Sequence, residues 1–171
     1  MLTREIALDR LAGSGEAVAA LARSVSDAQA RWKPTPQEWS VLEVLGHLLD
    51  EEREDFRTRL DYILHRPGEM WPPIDPVAWA RDRGYNERGR EPTVEAFVRE
   101  RHASLRWLEA LPRPDWTAAH QHPRLGRVTA GEMLAAWVAH DHLHIRQLNQ
   151  LHWQYLAETV SPFSLTYAGG W

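Results

Sequence analysis

Residues 128–158 read VTAGEMLAAWVAHDHLHIRQLNQLHWQYLAE, and their spacing decides the fold. Thr129, followed three positions later by Glu132, forms a capping box flanked by the apolar pair Val128 and Met133, the signature of a helix start. From there Met133, Trp137, His140, His144, Leu148, Leu151 and Tyr155 recur at steps of four and three, the period of one helical face. The spacing predicts a helix from this cap to about residue 158, with two histidines in successive core positions.

The same start occurs earlier, at Trp39-Ser40-Val41-Leu42-Glu43-Val44, where Ser40 is the cap, Glu43 closes the box and Trp39 staples onto Val44. It predicts a helix to about residue 65, with Val41, Leu45, Leu48, Leu49, Phe56, Leu60 and Ile63 inward. Another helix is expected over residues 3–28, with Ile6, Leu11, Val18, Leu21 and Val25 on one side; Gly13-Ser14-Gly15 is expected to kink it or delay its start. A further one is expected from Thr93 to Leu111, with Val94, Phe97, Val98, Leu105 and Leu108 inward, ending before Pro112. Strands find almost no support, and Ser161 to Trp171 has no periodicity. Residues 66–92 contain Pro67, Gly68, Pro72, Pro73, Pro76, Gly84, Gly89 and Pro92, and cannot form a long helix. A structureless connection of this length serves as a lid or pocket wall, or as a crossover between non-adjacent helices, and both readings can hold together. The fold class is all-α.

Composition narrows the function. A chain of 171 residues with 43% hydrophobic content is expected to form one domain, 1–171, around one core. Its net charge of −4 offers no broad basic field for a phosphate backbone, so nucleic acid is not an expected partner. Without cysteine there is no thiolate ligand or nucleophile, and any metal must be held by His, Asp, Glu or water. The start Met1-Leu2-Thr3-Arg4-Glu5 is no signal segment, and no apolar run reaches about 18 residues, so a cytoplasmic protein without membrane partners is expected. Lys33 is the only lysine; a coding bias accounts for the arginine richness, which carries no functional weight. Of the nine tryptophans, those at helical spacing belong to the core, while Trp71 and Trp79 stay open to a pocket role.

The histidines carry the chemistry. Residues four apart on a helix stand one above the other, about 5–6 Å between Cβ atoms, so His140 and His144 have the spacing to share one ion. His142 lies about 200° around the helix and points elsewhere. Two core imidazoles facing leucines must find partners, either side chains, backbone and water, or a metal ion. A third ligand is expected from a facing helix, and His47, beside Val44 and Leu48, is the natural candidate. His65, His102 and His152 sit near helix ends or on polar faces; His120 and His122 lie in a loop, either on the surface or lining a pocket. Asp50, Glu51, Glu54 and Asp141 are the nearby carboxylates. Glu51, four residues after His47, is the candidate to orient a ligand, fill a coordination position or accept a proton from a metal-bound water.

With Trp39-Ser40 opening a helix, His47 eight residues later, and His140-Asp141-x-x-His144-x-x-Gln147 in a late helix, the chain resembles the DinB/YfiT-like family of bacterial proteins. The long segment between helices two and three and the Gly126 turn before the last helix also correspond. The resemblance implies a four-helix bundle, up-down-down-up, with a long crossover between helices 2 and 3. It also implies one divalent ion, zinc or nickel, held by His47, His140 and His144. Characterised relatives include mycothiol-dependent maleylpyruvate isomerase and bacillithiol S-transferases, so a low-molecular-weight thiol such as bacillithiol or mycothiol is an implied cofactor, a small molecule the implied substrate and a homodimer an implied assembly.

Three neutral imidazoles leave an ion its full charge and an open position, as in catalytic rather than structural zinc sites. Three functions fit: a thiol-dependent transferase, a hydrolase using a metal-bound water, and a metal-containing binding protein without turnover.

Overall fold

The computed structural model describes residues 2–170. Its bundle has four long rods. The first is α1 (Arg4–Arg23). The second joins α3 (Val41–Asp50), a π-helical turn (Glu51–Asp55) and α4 (Phe56–His65). The third is α6 (Arg90–Ala110) and the fourth α7 (Ala130–Thr159). Short helices α2 (Asp27–Arg31) and α5 (Pro76–Asp82) lie in the connections.

Directions follow from who meets whom. Arg23, ending α1, pairs with Glu91 at the start of α6, while Arg4 reaches the carbonyl of Leu111 at its far end, so these rods are antiparallel. His47 meets His140 and His144 while Phe56, further along, stacks on Trp137, so the second rod opposes α7. Arg53 and Arg57 of the second rod pair with Glu100 of α6, and Arg57 also reaches Ser104, which fits two rods running the same way. The four rods therefore run up-down-down-up. Parallel neighbours force the connection between them to travel back along the bundle, about 37 Å for a 25-residue rod.

The crossover is neither structureless nor a link between non-adjacent helices. Pro76 sits in the first turn of α5, where a missing N–H costs nothing, and Asp75 caps it by accepting from the Ala78 N–H. A 3₁₀ turn at Tyr85–Glu87 then docks on α3. Tyr85 is buried and donates its hydroxyl to Asp50 at 2.6 Å, and its ring lies so close to Gly46 that a Cβ there would stand 2.6 Å from the Tyr85 Cγ. Gly46 is thus glycine because the crossover packs onto the backbone beside His47.

Both expected capping boxes form, at Ser40/Glu43 and Thr129/Glu132. Five expectations need correction. Gly13-Ser14-Gly15 neither kinks nor delays α1: Gly13 is exposed, while Ser14 and Gly15 face Arg101 of α6, where a Cβ on Gly15 would stand 3.1 Å from the Arg101 Cγ. The same helix stops at Arg23, since Ser26 caps a new one, and Ala7 rather than Ile6 faces inward. The third rod starts at Arg90, with Pro92 tolerated in the first turn. Residues 119–122 and 126–129 form a two-stranded antiparallel hairpin, β1 (Ala119–His122) and β2 (Gly126–Thr129), turned by Gly126 at φ 72°. Two strands of four residues are too short for an alternation to register in sequence.

At the bundle's centre, Arg101 makes a two-pronged pair with Asp141 of α7 (2.6 and 2.9 Å) and reaches Glu52 of the π turn at 2.8 Å. Ser14 of α1 donates to the same Asp141 carboxylate, and Arg101 also bonds the Leu11 carbonyl at 2.7 Å. All four rods therefore meet at one guanidinium, which is 3% exposed. Burial opposes its charge, but Glu52 and Asp141 outweigh burial and hold the group protonated. Replacing Arg101 by Met leaves two buried carboxylates unpaired, with an expected cost of about 3–5 kcal/mol in urea unfolding. The exposed Arg99→Met control is expected to move stability by less than about 0.5 kcal/mol.

Candidate metal centre

His47 lies midway along α3, buried at 5% exposure, and faces His140 and His144 on α7. The three rings converge through the same atom. Nε2 of His47 is 3.4 Å from Nε2 of His140 and 3.1 Å from that of His144, and the last two are 3.2 Å apart. Imidazoles bound at about 2.0–2.1 Å to one ion have nitrogens about 2.9 Å apart at right angles and about 3.4 Å apart at the tetrahedral angle. The observed triangle falls inside that range. All three residues form a group able to hold a metal ion.

The rings' other nitrogens show why an ion fits. His144 Nδ1 lies 2.8 Å from Gln147 Oε1, an acceptor, which places the proton on Nδ1 and a bare lone pair on Nε2. His47 Nδ1 faces Glu51 Oε1 at 3.7 Å, with both atoms buried and otherwise unpaired. A proton carried on this Nδ1 leaves a lone pair on Nε2. Lone pairs about 3 Å apart repel unless a proton or a cation lies between them, and a divalent ion is what this donor set accommodates.

Electrostatics prepare the rings for that role. Burial, then the neighbouring His144 and His140, push His47 down to about 2. Burial and His144 push His140 down to about 4, and burial lowers His144 as well. The rings are therefore neutral, the ligating form, at physiological pH. Glu51 moves the other way: burial, then the hydrogen bond and charge of Asp55, raise it to about 9.

Trp39 leans on the His47 ring at 4.9 Å between centroids, and Phe56 on the His140 ring at 4.9 Å. Trp39 and Gln147 also line a cleft of about 380 Å³ with Gln37, Glu38, Gln150 and Gln154. This cleft adjoins the centre, and its wall is rich in side-chain amides.

The other sequence candidates separate. His142 is exposed, as its place on the helix implied, and so are His65 and His102. His152 is half-buried and bonds the backbone of Leu21. His120 and His122 are half-buried against Trp71 rather than on open surface. Asp141, expected near the site, turns from the histidines into the Arg101 pair. Asp50 and Glu54 are both paired with Arg83, at 2.7 and 2.5 Å. Glu51 sits behind His47, at the nitrogen pointing away from the triangle, the place of a residue that orients a ligand. Gln147, quoted in the sequence motif without a role, contributes the clearest outer contact. The expected continuous second helix is interrupted by the π turn, which brings successive residues Glu51 and Glu52 inward together, one to His47 and the other to Arg101 and Trp137.

Among the described residues no helix is long and apolar enough to cross a membrane. No curated protein matches the sequence. The structure of YfiT from Bacillus subtilis, described as a probable metal-dependent hydrolase with an unusual four-helix bundle topology, superposes with a TM-score of 0.79 at 17% identity, covering 91% of this chain and 90% of that one.

Two outcomes are expected of this centre. First, His47→Ala, His140→Ala and His144→Ala each abolish stoichiometric metal retention by elemental analysis, His142→Ala does not, and Gln147→Leu weakens affinity about 10–100-fold. Second, the metal-free protein has a pH optimum of stability set by this cluster. Below about 6.5, the unfolded histidine value, the unfolded chain binds protons that buried His47 and His140 refuse, so stability falls with acidification towards about 4. Between about 6.5 and 9, folded Glu51 keeps a proton the unfolded chain has lost, so stability also falls as pH rises. Urea midpoints across pH 4.5–9 check both limbs, and Glu51→Gln is expected to flatten the alkaline one. The match to the DinB superfamily spans residues 10–148, and the chain belongs to that superfamily.

Proposed function

We propose that this chain is a metal-dependent transferase that uses a low-molecular-weight thiol, with His47, His140 and His144 holding one zinc or nickel ion. The observation that carries the reading is the convergence of three neutral imidazoles beside an amide-lined cleft. When bound, such an ion supplies the positive charge that keeps a coordinated thiol deprotonated near neutral pH.

The protein's own residues do the rest. Gln147 fixes the ring orientation of His144, so that its lone pair stays aimed inward, and Glu51 stands behind the His47 ring at the nitrogen facing away from the triangle. Gln37, Gln147, Gln150 and Gln154 offer paired donors and acceptors suited to the amide groups of a small thiol, without the charge that would bind phosphate. Trp39 lines that cleft and packs on the His47 ring, giving a bound molecule an apolar surface that shields it from water.

The likeness to YfiT favours a second reading, a metal-dependent hydrolase. Glu51 would be its base, but it stands on the far side of the His47 ring, which counts against that role.

One experiment separates the two. Metal-loaded protein is incubated with bacillithiol, mycothiol, glutathione or coenzyme A and an aryl halide, and in parallel with a panel of esters and amides. The expected outcome is thiol consumption that disappears in metal-free protein and in His144→Ala, with no hydrolysis above those controls. Hydrolysis without thiol consumption would replace the transferase by the hydrolase. Neither activity would leave a metal-binding protein.

A further inference from the structure

Away from the histidine triangle, the crossover and the β1–β2 hairpin enclose a second cleft of about 780 Å³. That is within the usual range for a small-molecule site. Its floor is Trp71, stacked on His120 at 4.4 Å between centroids and 18° between planes, with His122 at 5.4 Å and 46°. Arg59 of α4 places its guanidinium carbon 4.8 Å from the centre of the Trp71 ring. Residues 120 and 122 face the same way because alternate residues of a strand share one side. The hairpin missed in sequence is what aligns them.

The lining is selective in charge. The chain is acidic overall, with 24 Asp and Glu residues among 171, yet none of the 15 residues lining this cleft is acidic. Arg59, Arg124, His120 and His122 are lining residues; the charge of Arg59 is met by Asp55, which leaves Arg124 to meet an anion. His122 Nδ1 accepts the backbone N–H groups of Arg124 and Leu125 at 3.2 and 3.1 Å. A neutral imidazole that accepts at Nδ1 carries its proton on Nε2 and so presents a donor. The Nε1 of Trp71 is buried and has no partner, a further donor without an acceptor. Met70, 87% exposed, and Leu125, 70% exposed, add apolar surface at the rim.

Flat aromatic surface, several donors and no carboxylate form one consistent specification. We infer that this cleft is a binding site for a small planar organic anion, an aromatic carboxylate in chemical class, whose ring packs on Trp71 and His120 and whose carboxylate is held by Arg124 and the imidazole donors. Stacking on the indole supplies the apolar contact, and the guanidinium and imidazole groups supply charge-assisted hydrogen bonds. The site is separate from the metal centre and holds whether that centre serves a transferase or a hydrolase.

The test uses full-length protein and two probes, 2-naphthoate and its neutral counterpart 2-naphthylmethanol, in titration calorimetry. The carboxylate is expected to bind at least about tenfold more tightly than the alcohol, the worth of one charge-assisted hydrogen bond. Trp71→Leu and Arg124→Glu are each expected to weaken naphthoate binding by about fivefold or more. Arg124 is exposed at the hairpin turn, so its replacement does not put folding at risk. His144→Ala, distant from the cleft, is expected to bind naphthoate within about twofold of the parent. Equal affinity for the two probes, no naphthoate binding at about 10 mM, a range that covers weak ligands, or indifference to both cleft variants would overturn the inference. So would loss of binding in His144→Ala, which would put the probe at the histidines instead.

Discussion

One buried guanidinium organises the molecule. Arg101 is the point at which α1, the π turn, α6 and α7 touch, and its two carboxylate partners each adjoin a residue of the metal centre. Asp141 follows His140, and Glu52 follows Glu51. Fixing Asp141 towards the axis sets the rotation of α7, which in turn aims His140 and His144 at α3. Fixing Glu52 sets the phase of the π turn and leaves Glu51 behind His47. A hydrophobic residue at position 101 would fill the same volume but would carry no information about rotation, because apolar contacts are non-directional. A bidentate pair has one geometry.

The histidine triangle depends on a second balance. Burial is the largest influence on all three rings and keeps them neutral, which an ion needs and which a solvated cluster would not guarantee at mildly acid pH. The same burial keeps Glu51 protonated in the absence of a metal. The Glu51 proton serves the hydrogen bond with Asp55, and the oxygen facing His47 is left as an acceptor. A metal ion on Nε2 would make Nδ1–H a better donor towards Glu51, whose Oε1 stands 3.7 Å away. Gln147, which does not titrate, holds His144 regardless of pH.

Much of this was readable from sequence, for a physical reason. Capping boxes and core stripes are local, so Ser40, Thr129 and the run from Met133 to Leu151 specify their helices without knowledge of the rest. The two histidines of α7 belong to such a stripe. His47 required only that its helix face α7. The Arg101 centre escaped because its partners lie 40 to 90 residues apart, and a polar group in a core position looks like an interruption of the stripe. In hindsight the step from Val94 and Phe97 to Arg101, Ser104 and Leu108 was regular, and a charge in step with a core face calls for a buried partner. Ser14 and Gly15 escaped for the complementary reason: their smallness serves the neighbouring helix rather than the local backbone. The π turn defeats any reading that assumes 3.6 residues per turn throughout.

The parallel arrangement of the second and third rods has consequences beyond connectivity. An antiparallel pair would close with a short loop, and nothing would lie along α4. Here the chain must return along the bundle, and on its way it lays Trp71 against Arg59 and then Tyr85 against Gly46 and Asp50. The first contact builds the floor of the second cleft. The second clamps the backbone of α3 next to His47. Between them, Asp55 pairs with Arg59 and hydrogen-bonds Glu51, so ionisable side chains at positions 47, 51, 55 and 59 form a ladder at helical spacing from the histidine triangle to the cleft. The topology that looks uneconomical for a bundle is thus what gives this one a second concave surface and ties that surface, residue by residue, to the helix that carries His47.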